Sequence, residues 1–218
     1  MSNTTKIEYD GHTYSGTEIK GGNIRRTLSL LSASIESDTF NVSLKSPNKN
    51  LAAFTRNAPL TVFNGDRKLG TFYVQTVKRI ASDLYDISAI SAIGLLITLN
   101  HYGGIYTGQT VSDVLPSIFG TVPYSVKTNL CDIALYGWLP IGTSRDNLAQ
   151  ILFAIGATVK TDLNGVIKIE KLWDGVSSAI TPNRIYSGAS EEYTSEISRV
   201  SVTEHQYIEG GDLVTLFE

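Results

Sequence analysis

The sequence is nearly devoid of cysteine, with Cys131 the single thiol among 218 residues. One thiol excludes an internal disulfide framework and any metal site built from several cysteines. The three histidines, His12, His101 and His205, lie far apart, and none has a Cys, Asp or Glu partner at metal-ligand spacing. We therefore expect no metal site in this chain.

Charge is also scarce. Asp, Glu, Lys and Arg make up 18% of the residues, against roughly 25% in typical soluble domains, and the formal net charge is −3. The nearest approach to a basic cluster is Arg25-Arg26, which we interpret as two exposed charges flanking a strand. Without a basic field to attract phosphates, we expect no direct binding of nucleic acid.

Long hydrophobic runs are missing as well. The most apolar stretch, Ile87 to Leu99, is interrupted by Ser and Gly and is too short to cross a bilayer as a helix. Residues 1–6 have no apolar core of the kind that a signal peptide needs. We therefore expect no membrane span and synthesis in a cytoplasm.

Catalytic motifs are absent in the same way. No Gly-x-Ser-x-Gly elbow and no His-Glu-x-x-His motif occurs. Residues 103–110 are rich in glycine and precede a helix, but they lack the lysine of a phosphate-binding loop, so we interpret them as a turn and a helix cap. Glu191 and Glu192 are adjacent and would face opposite sides of a strand. We predict no catalytic, cofactor-binding or metal-ligating residues, no cofactor, and no enzyme activity.

What the sequence does contain is the pattern of a β-rich protein. Phe40, Val42 and Leu44 alternate with polar residues, which is typical of a strand with one buried face. Further strands are predicted over Leu60–Phe63, Thr71–Ile80 and Leu84–Ala92. Most of the eleven tyrosines occupy strand positions and are interpreted as packing residues; Tyr9, Tyr73 and Tyr85 are examples.

Four dipeptides predict tight hairpin turns between such strands: Asp10-Gly11, Asn64-Gly65, Asn164-Gly165 and Gly210-Gly211. Asn, Asp and Gly best tolerate the positive φ angles that a type I′ turn requires. Near Ile197 to Thr203 the apolar positions change phase, which indicates a β-bulge.

Two segments instead show helical spacing of apolar residues. They follow Thr110 and Thr143, and each begins with Thr-x-x-Asp and ends at a glycine, Gly120 or Gly156. The threonine hydroxyl can accept a hydrogen bond from a free backbone N–H of the first turn, and the glycine suits a left-handed terminal position. Pro116 predicts that the first helix is short or bent. A third helical turn is predicted within Ala92–Leu99.

The chain therefore divides into three predicted parts, with an α+β, mainly β fold: residues 1–97 as an N-terminal β-barrel, 98–172 as an α/β module, and 173–218 as strands of a second, possibly incomplete barrel. The last strand, Leu213–Phe217, runs up to the end of the chain. This indicates either a truncated chain or a barrel that another chain completes.

The stretch Tyr136–Leu172 resembles the α/β module of phage baseplate hub and tail-tip proteins. A short apolar segment ending in Pro140 leads to a capped helix and then to a hairpin closed by Asn164-Gly165. Residues 106–115 are similar to the family's earlier helix. Three further segments resemble its N-terminal strands: Arg26-Thr27-Leu28 and Asp38-Thr39-Phe40, each beginning a strand, and Gly70-Thr71-Phe72-Tyr73-Val74.

The resemblance implies small tail-tube-like antiparallel barrels with an inserted α/β module that contains two short capped helices. It also implies a virion structural protein of a phage tail or contractile injection system, made in the cytoplasm of a bacterial host. A homotrimer would join the six-fold tail tube to the three-fold central spike by symmetry matching, beside neighbouring baseplate proteins.

Two alternatives stay open. The chain could be a carbohydrate-binding or receptor-binding module of the tail, which predicts exposed coplanar aromatic rings. It could also be the N-terminal anchor of a tail-associated cell-wall hydrolase, which predicts a catalytic domain beyond residue 218.

Overall fold

The computed structural model describes residues 5–27, 35–45 and 54–172, together with residue 199. The chain divides into two compact units, residues 1–172 and 173–218. Three predicted features, residue 199 apart, fall outside the described residues: the Gly210-Gly211 turn, the bulge over 197–203 and the strand Leu213–Phe217.

The first seven strands form one antiparallel sheet in the order β2-β1-β5-β6-β7-β4-β3. The strands are β1 Thr5–Tyr9, β2 His12–Ser15, β3 Ile19–Arg25, β4 Thr39–Lys45, β5 Pro59–Asn64, β6 Arg67–Arg79 and β7 Leu84–Ile90. The mainly β fold class is thus confirmed. The outer strands β2 and β3 do not pair with each other in the described residues, so this sheet is open and the predicted barrel closure is not found there.

One face of this sheet is buried, as the alternation in β4 predicts. Phe40, Val42 and Leu44 point into the core, whereas Asn41 and Lys45 are exposed. The buried side chains of β1, β2, β5, β6 and β7 complete this core, which also takes in Phe54. Burial of each such Val, Leu, Ile or Phe side chain contributes about 1.5–3 kcal/mol to the stability of the fold. A shift of one residue in the register of any strand would expose these side chains and would therefore be strongly destabilising.

The first two predicted turns exist, but only one has the predicted type. Asp10 and Gly11 join β1 to β2 with φ angles of 46° and 73°, as a type I′ turn requires. In the second turn Asn64 belongs to β5 and pairs with Arg67, so the loop is Gly65-Asp66. Only Gly65 has a positive φ, 60°, which is the type II′ pattern. The hairpin is confirmed, and its predicted turn type is wrong.

The third turn also differs from the two-residue prediction. The Asp162 N–H donates to the Val166 carbonyl, which leaves a three-residue loop of Leu163, Asn164 and Gly165. Asp162 Oδ1 accepts from the backbone N–H groups of Asn164 and Val166, at 2.8 and 2.9 Å. Gly165 has a φ of 81°, so the loop resembles a type I turn followed by a bulge residue.

The remaining described residues form an α/β part with a core of its own. Its elements are α1 Ala92–Leu95, β8 Asn100–His101, β9 Gly104–Thr110, α2 Val111–Phe119, β10 Tyr124–Val126, α3 Thr128–Cys131, β11 Ala134–Leu139, β12 Gly142–Thr143, α4 Ser144–Ile155, β13 Ala157–Thr161 and β14 Ile167–Lys171. The strands form three small sheets: β10-β14-β13, β11-β9 and β12-β8. The pairing of β10 with β14 is parallel.

The two capped helices begin and end where the Thr-x-x-Asp and glycine signals place them. Thr110 Oγ1 accepts from the Asp113 N–H at 3.3 Å, and Thr143 Oγ1 accepts from the Asp146 N–H at 3.1 Å. Gly156 ends α4 in the left-handed conformation. Helix α2 is nine residues long and contains Pro116, in agreement with the prediction of a short first helix.

Several predicted strand starts are displaced. Residues 26 and 27 follow the end of β3 and are not in a strand, and Leu28 of the predicted strand start Arg26-Thr27-Leu28 lies outside the described residues. Gly70–Val74 lies inside β6, whereas β4 does begin at Thr39 as expected. Strand β3 and helix α3 were not predicted. Residues 104–110, interpreted as a turn, form β9. The division of the first unit near residue 97 stays a prediction.

Candidate functional site

The residues singled out for chemistry are not brought together. In residues 5–27, 35–45 and 54–172, no three His, Cys, Asp or Glu side chains lie where they could share a metal ion. His12 Nε2 lies 3.6 Å from Glu18 Oε1 near the surface, and Cys131 is half-buried in α3. His101 is buried beneath α2 and α4. His205, Glu191 and Glu192 fall outside the described residues.

The three tyrosines named as packing residues and the Arg25-Arg26 pair are located as the sequence indicates. Tyr9 and Tyr85 are buried in the core of the large sheet, and Tyr73 packs against the α/β core. Burial raises the pKa of the Tyr73 phenol above its ordinary value. Arg25 and Arg26 are both exposed at the end of β3. Among the helices of the described ranges, none is long and apolar enough to span a bilayer.

A cleft of about 300 Å³ opens beside β13, and Arg26 and Asp38 line part of it. These two side chains are held by each other and by the backbone. Arg26 Nη1 donates to Asp38 Oδ2 at 3.2 Å, its Nη2 donates to the Leu69 carbonyl, and Asp38 Oδ1 accepts from the Thr27 N–H at 2.9 Å. The pair therefore fastens the end of β3 to the start of β4, and it offers no free acid or base.

The main concentration of exposed apolar side chains in the described residues is a two-stranded ribbon formed by β9 and β11. Trp138 pairs with Ile105, and Tyr136 pairs with Thr107. The exposed fractions are 54% for Trp138, 62% for Ile105 and 78% for Tyr136. Tyr102 and Ile141, which flank the two strands, are also exposed. We call the side of the ribbon that carries Ile105, Thr107, Ala134, Tyr136 and Trp138 the ribbon face.

The opposite side of the ribbon explains why these side chains point outward. Leu135 and Leu139 are buried in the α/β core, and Tyr106 packs against the same core. Burial raises the pKa of the Tyr106 phenol. Because side chains alternate along a strand, the anchoring of these three residues turns Tyr136, Trp138 and Ile105 to the other side.

A glycine shapes the ribbon face at its centre. Gly108 has a φ of 125°, a conformation that L side chains rarely adopt, and it lies at a register shift between β9 and β11. A Cβ atom at Gly108 would lie 3.4 Å from Tyr136 Oη and 3.7 Å from the ring. The Tyr136 ring therefore covers the glycine while 78% of the residue stays exposed. The ribbon face has no charged residue, and large aromatic side chains on such a surface favour contact with a partner.

Sequence reasoning missed this surface. The apolar residues Tyr136, Trp138 and Ile105 look like core positions in an alternating pattern, and only the burial of their neighbours reveals which side of each strand faces the core. Phe153, which is exposed on the outer side of α4, is another apolar residue that lies outside the core.

No protein-family model matches the chain, and no curated protein matches it by sequence. Its fold, however, is similar to those of solved tail proteins. The 43 kDa tail protein of prophage MuSo2 from Shewanella oneidensis superposes with a TM-score of 0.53 at 18% identity, covering 78% of this chain and 56% of that protein. A tail protein from Neisseria meningitidis MC58 gives a TM-score of 0.57 at 14% identity, covering 78% and 50%.

The prophage tail protein gp18 from Listeria monocytogenes EGD-e gives a TM-score of 0.50 at 12% identity, covering 76% of this chain and 50% of gp18. This chain thus spans about half the length of each of these proteins. At such identities the likeness concerns the fold, and three tail proteins from three bacterial species agree on it. The chain has the fold of phage tail proteins.

Proposed function

We propose that the chain is a structural protein of a phage tail or phage-tail-like particle, acting as the baseplate hub or tail-tip protein that joins the tail tube to the central spike. The observation that carries this proposal is the fold shared with the tail proteins of Shewanella oneidensis and Neisseria meningitidis. The proposal includes the division into an N-terminal barrel at 1–97, an α/β module at 98–172 and strands of a second barrel at 173–218.

The chain acts by shape and symmetry rather than by catalysis. Among the described polar side chains that could carry chemistry, Arg26, Asp38 and His101 are engaged in structural hydrogen bonds. It assembles as a homotrimer, and its partners are the tail tube protein, the central spike and neighbouring baseplate proteins. A trimer of hubs, each with two barrels, matches a six-fold tube above and a three-fold spike below. The contact between neighbouring subunits forms a closed ring when its repeated rotation returns to the first subunit.

The ribbon face is the surface that meets a neighbouring copy of the chain. Trp and Tyr are enriched among the residues that dominate interface energies, whereas the charged residues are depleted at the centre of interfaces. The ribbon face has Trp138 and Tyr136 and no charge, so two copies approach without repulsion between like charges. The ribbon face lies in the α/β part, so this contact does not involve the strands of the seven-stranded sheet.

The test is the mass of the purified chain in solution, measured by light scattering over a concentration series. We expect a trimer for the wild type and a smaller mass for Trp138→Ser and Tyr136→Ser, because each removes a large apolar contact. Phe153→Ser is the matched control, since Phe153 is 87% exposed on α4 rather than on the ribbon, and it should stay trimeric.

The outcomes separate the parts of the proposal. A strict monomer at high concentration contradicts the self-assembling hub. A wild-type trimer that both ribbon variants preserve contradicts the assignment of the ribbon face and leaves the hub in place.

A second candidate function, binding of a carbohydrate of the host surface, is favoured by one observation. Tyr136 and Trp138 are exposed two residues apart on one strand, so their rings lie on the same side and could stack on successive sugar rings. Binding to a glycan array that Trp138→Ser abolishes, with a monomeric wild type, would favour this function over the hub. An array without any binding excludes it for the glycans displayed.

A further inference from the structure

A buried polar cluster lies at the root of the ribbon, where β9 begins and β11 ends. Its centre is His101 of β8, which is 4% exposed, and Asn147 of α4, which is fully buried. Asn147 Nδ2 lies 2.8 Å from His101 Nδ1 and donates to the Pro140 carbonyl at 2.9 Å. The Gly103 N–H donates to the same His101 Nδ1 at 3.2 Å.

These contacts tie both strands of the ribbon to α4. Gly103 immediately precedes β9, and Pro140 immediately follows β11. The His101 ring accepts a hydrogen bond from Gly103, and the Asn147 amide group donates one to Pro140. One histidine and one asparagine therefore join the ends of both ribbon strands to α4, in addition to the anchoring of Leu135 and Leu139 in the core.

The hydrogen bonds determine the protonation state of the ring. A backbone N–H can only donate, so the bond from Gly103 requires His101 Nδ1 to be an unprotonated acceptor. The proton of the neutral ring is then on Nε2, which lies 3.2 Å from Ser117 Oγ. Ser117 Oγ in turn donates to the Val114 carbonyl at 2.7 Å, so it is free to accept from the ring.

A second proton has no acceptable position in this cluster. Placed on Nδ1, it would point at two donors, the Gly103 N–H and the Asn147 amide group. Rotation of the Asn147 amide would offer its Oδ1, which has no hydrogen-bond partner among the described residues, but the Pro140 carbonyl would then lose its donor. Either way, protonation breaks a connection between α4 and the ribbon.

No nearby charge offsets this conflict. The charged groups on the elements around His101 are Asp113 of α2 and Arg145 and Asp146 of α4, whereas β8 and β12 carry no other titratable side chain. The two carboxylates cap their own helices by binding Thr110 and Thr143. In the described part of the chain, no hydrogen bond or ion pair joins any of the three to His101.

We propose that His101 and Asn147 form an acid-sensitive clamp that holds the ribbon face in place while His101 is neutral and releases it when His101 is protonated. The clamp goes beyond the proposed function and stands on its own geometry, whatever the ribbon face binds.

The direction of the pH dependence follows from burial. Loss of solvation lowers the pKa of His101 in the closed state, whereas an opened His101 has the ordinary value of about 6.5. The open state therefore binds a proton more readily than the closed state. The clamp is complete above about pH 6.5 and weakens as the pH falls from there toward the lower pKa of the closed state.

The test is hydrogen exchange of the full chain, measured by NMR or mass spectrometry at pH 7.5 and 5.5 and corrected for intrinsic exchange rates. Protection of Gly104–Thr110 and Ala134–Leu139 should fall with pH. Because one proton is taken up on opening, the opening constant rises by at most about tenfold per pH unit below 6.5. In His101→Asn, the introduced amide oxygen can accept from Gly103 but does not titrate. The protection of the ribbon in this variant should therefore not change between the two pH values.

His12→Asn is the matched control, because His12 lies on β2 of the seven-stranded sheet, and it should keep the wild-type response. Equal ribbon protection at both pH values in the wild type would overturn the clamp, as would an equal fall in His101→Asn. If His101→Asn does not fold, the pH titration of the His101 imidazole signal in NMR spectra of the wild type is the test. A His101 signal that titrates at or above 6.5 overturns the clamp, and one that titrates below 6.5 while the ribbon amides shift with it supports it.

Discussion

Gly165 lies where the loop between β13 and β14 meets the seven-stranded sheet. The loop that contains it lies against β6, where Thr71 Oγ1 donates to the Leu163 carbonyl at 3.1 Å and Lys68 Nζ donates to Asn164 Oδ1 at 2.9 Å. A Cβ atom at Gly165 would lie 3.1 Å from Tyr73 Oη and 3.4 Å from Thr71 Cβ. The residue is therefore constrained twice, by its φ of 81° and by the sheet beneath it.

We expect Gly165→Ala to lower the free energy of unfolding by more than Gly11→Ala does. Both substitutions put a side chain at a positive φ, which costs about 1–2 kcal/mol. At Gly11 a Cβ would meet nothing within 4 Å, whereas at Gly165 the Tyr73 ring must also shift. The measurement is the denaturant midpoint at constant m-value. An equal loss in the two variants would show that the loop does not bear on β6.

His101 and Asn147 show how far a residue's role can lie outside its local sequence. The cluster joins positions 101, 117, 140 and 147. The residues around His101 do not predict its burial. The contacts that α2 and α4 make with it come from residues 16 and 46 positions further along the chain. Sequence reasoning assigned no catalytic role to this histidine and had no signal for its structural one.

At the scale of the elements, the starts of α2 and α4 were predictable because their signals are local. In α2 the Thr110 N–H donates to Asp113 Oδ2 at 3.0 Å while Thr110 Oγ1 accepts from the Asp113 N–H, so four consecutive residues complete the cap. Hydrogen bonds from the Thr110 side chain and then its backbone lower the pKa of the Asp113 carboxyl.

We expect Thr110→Ala to destabilise the chain by about 0.5–2 kcal/mol, because the first turn of α2 loses a hydrogen-bond acceptor. Thr110→Ser keeps the hydroxyl and should stay within a few tenths of a kcal/mol of the wild type. Thermal unfolding of the two variants beside the wild type measures the difference. A Ser variant as unstable as the Ala variant would mean that the threonine methyl, rather than the cap, matters.

The same cap predicts a pH dependence with a definite sign. Because the pKa of Asp113 is lowered in the folded state, its contribution is present above the ordinary value of 3.8 and is lost as the pH falls through the folded value. Unfolding curves of Thr110→Ala should therefore depend less on pH below about 4 than those of the wild type. A steeper dependence in the variant would contradict the cap.

The ribbon is one of the elements that local signals did not predict. Gly104, Gly108 and Gly137 weaken any strand prediction, since glycine is depleted in strands. Strand β9 nevertheless forms because Tyr106 on β9 and Leu135 and Leu139 on β11 are anchored in the α/β core. Pairing between residues 104–110 and 134–139 depends on that core and on a register shift at Gly108, neither of which a local window contains.

At the scale of the molecule, the seven-stranded sheet and the α/β part have separate cores, and α1 of the α/β part packs against β6 and β7 of the sheet. Ile35 precedes β4 in the chain, yet it belongs to the α/β core, and Tyr73 of β6 packs against that core as well. Together with the Leu163–Gly165 loop on β6, these contacts join the two cores.

We therefore expect residues 1–172 to unfold in a single transition. Calorimetry of that fragment should give one peak whose calorimetric and van't Hoff enthalpies agree. Two resolved peaks would mean that the predicted boundary near residue 97 separates independent domains. Gly165→Ala should broaden or split the peak if its loop carries the coupling, whereas Gly11→Ala should only shift it.

The sequence by itself determined what depends on neighbouring residues: the alternation that buries one face of β4, the turn at Asp10-Gly11 and the two capped helices. Hydrogen bonds and side-chain periods within a few residues encode these features. Only the tertiary structure decided whether the large sheet closes, which side of the ribbon is exposed, and that His101 is buried beneath two helices. These outcomes depend on which distant surfaces meet, and the burial energy that selects them exists only once the chain has folded.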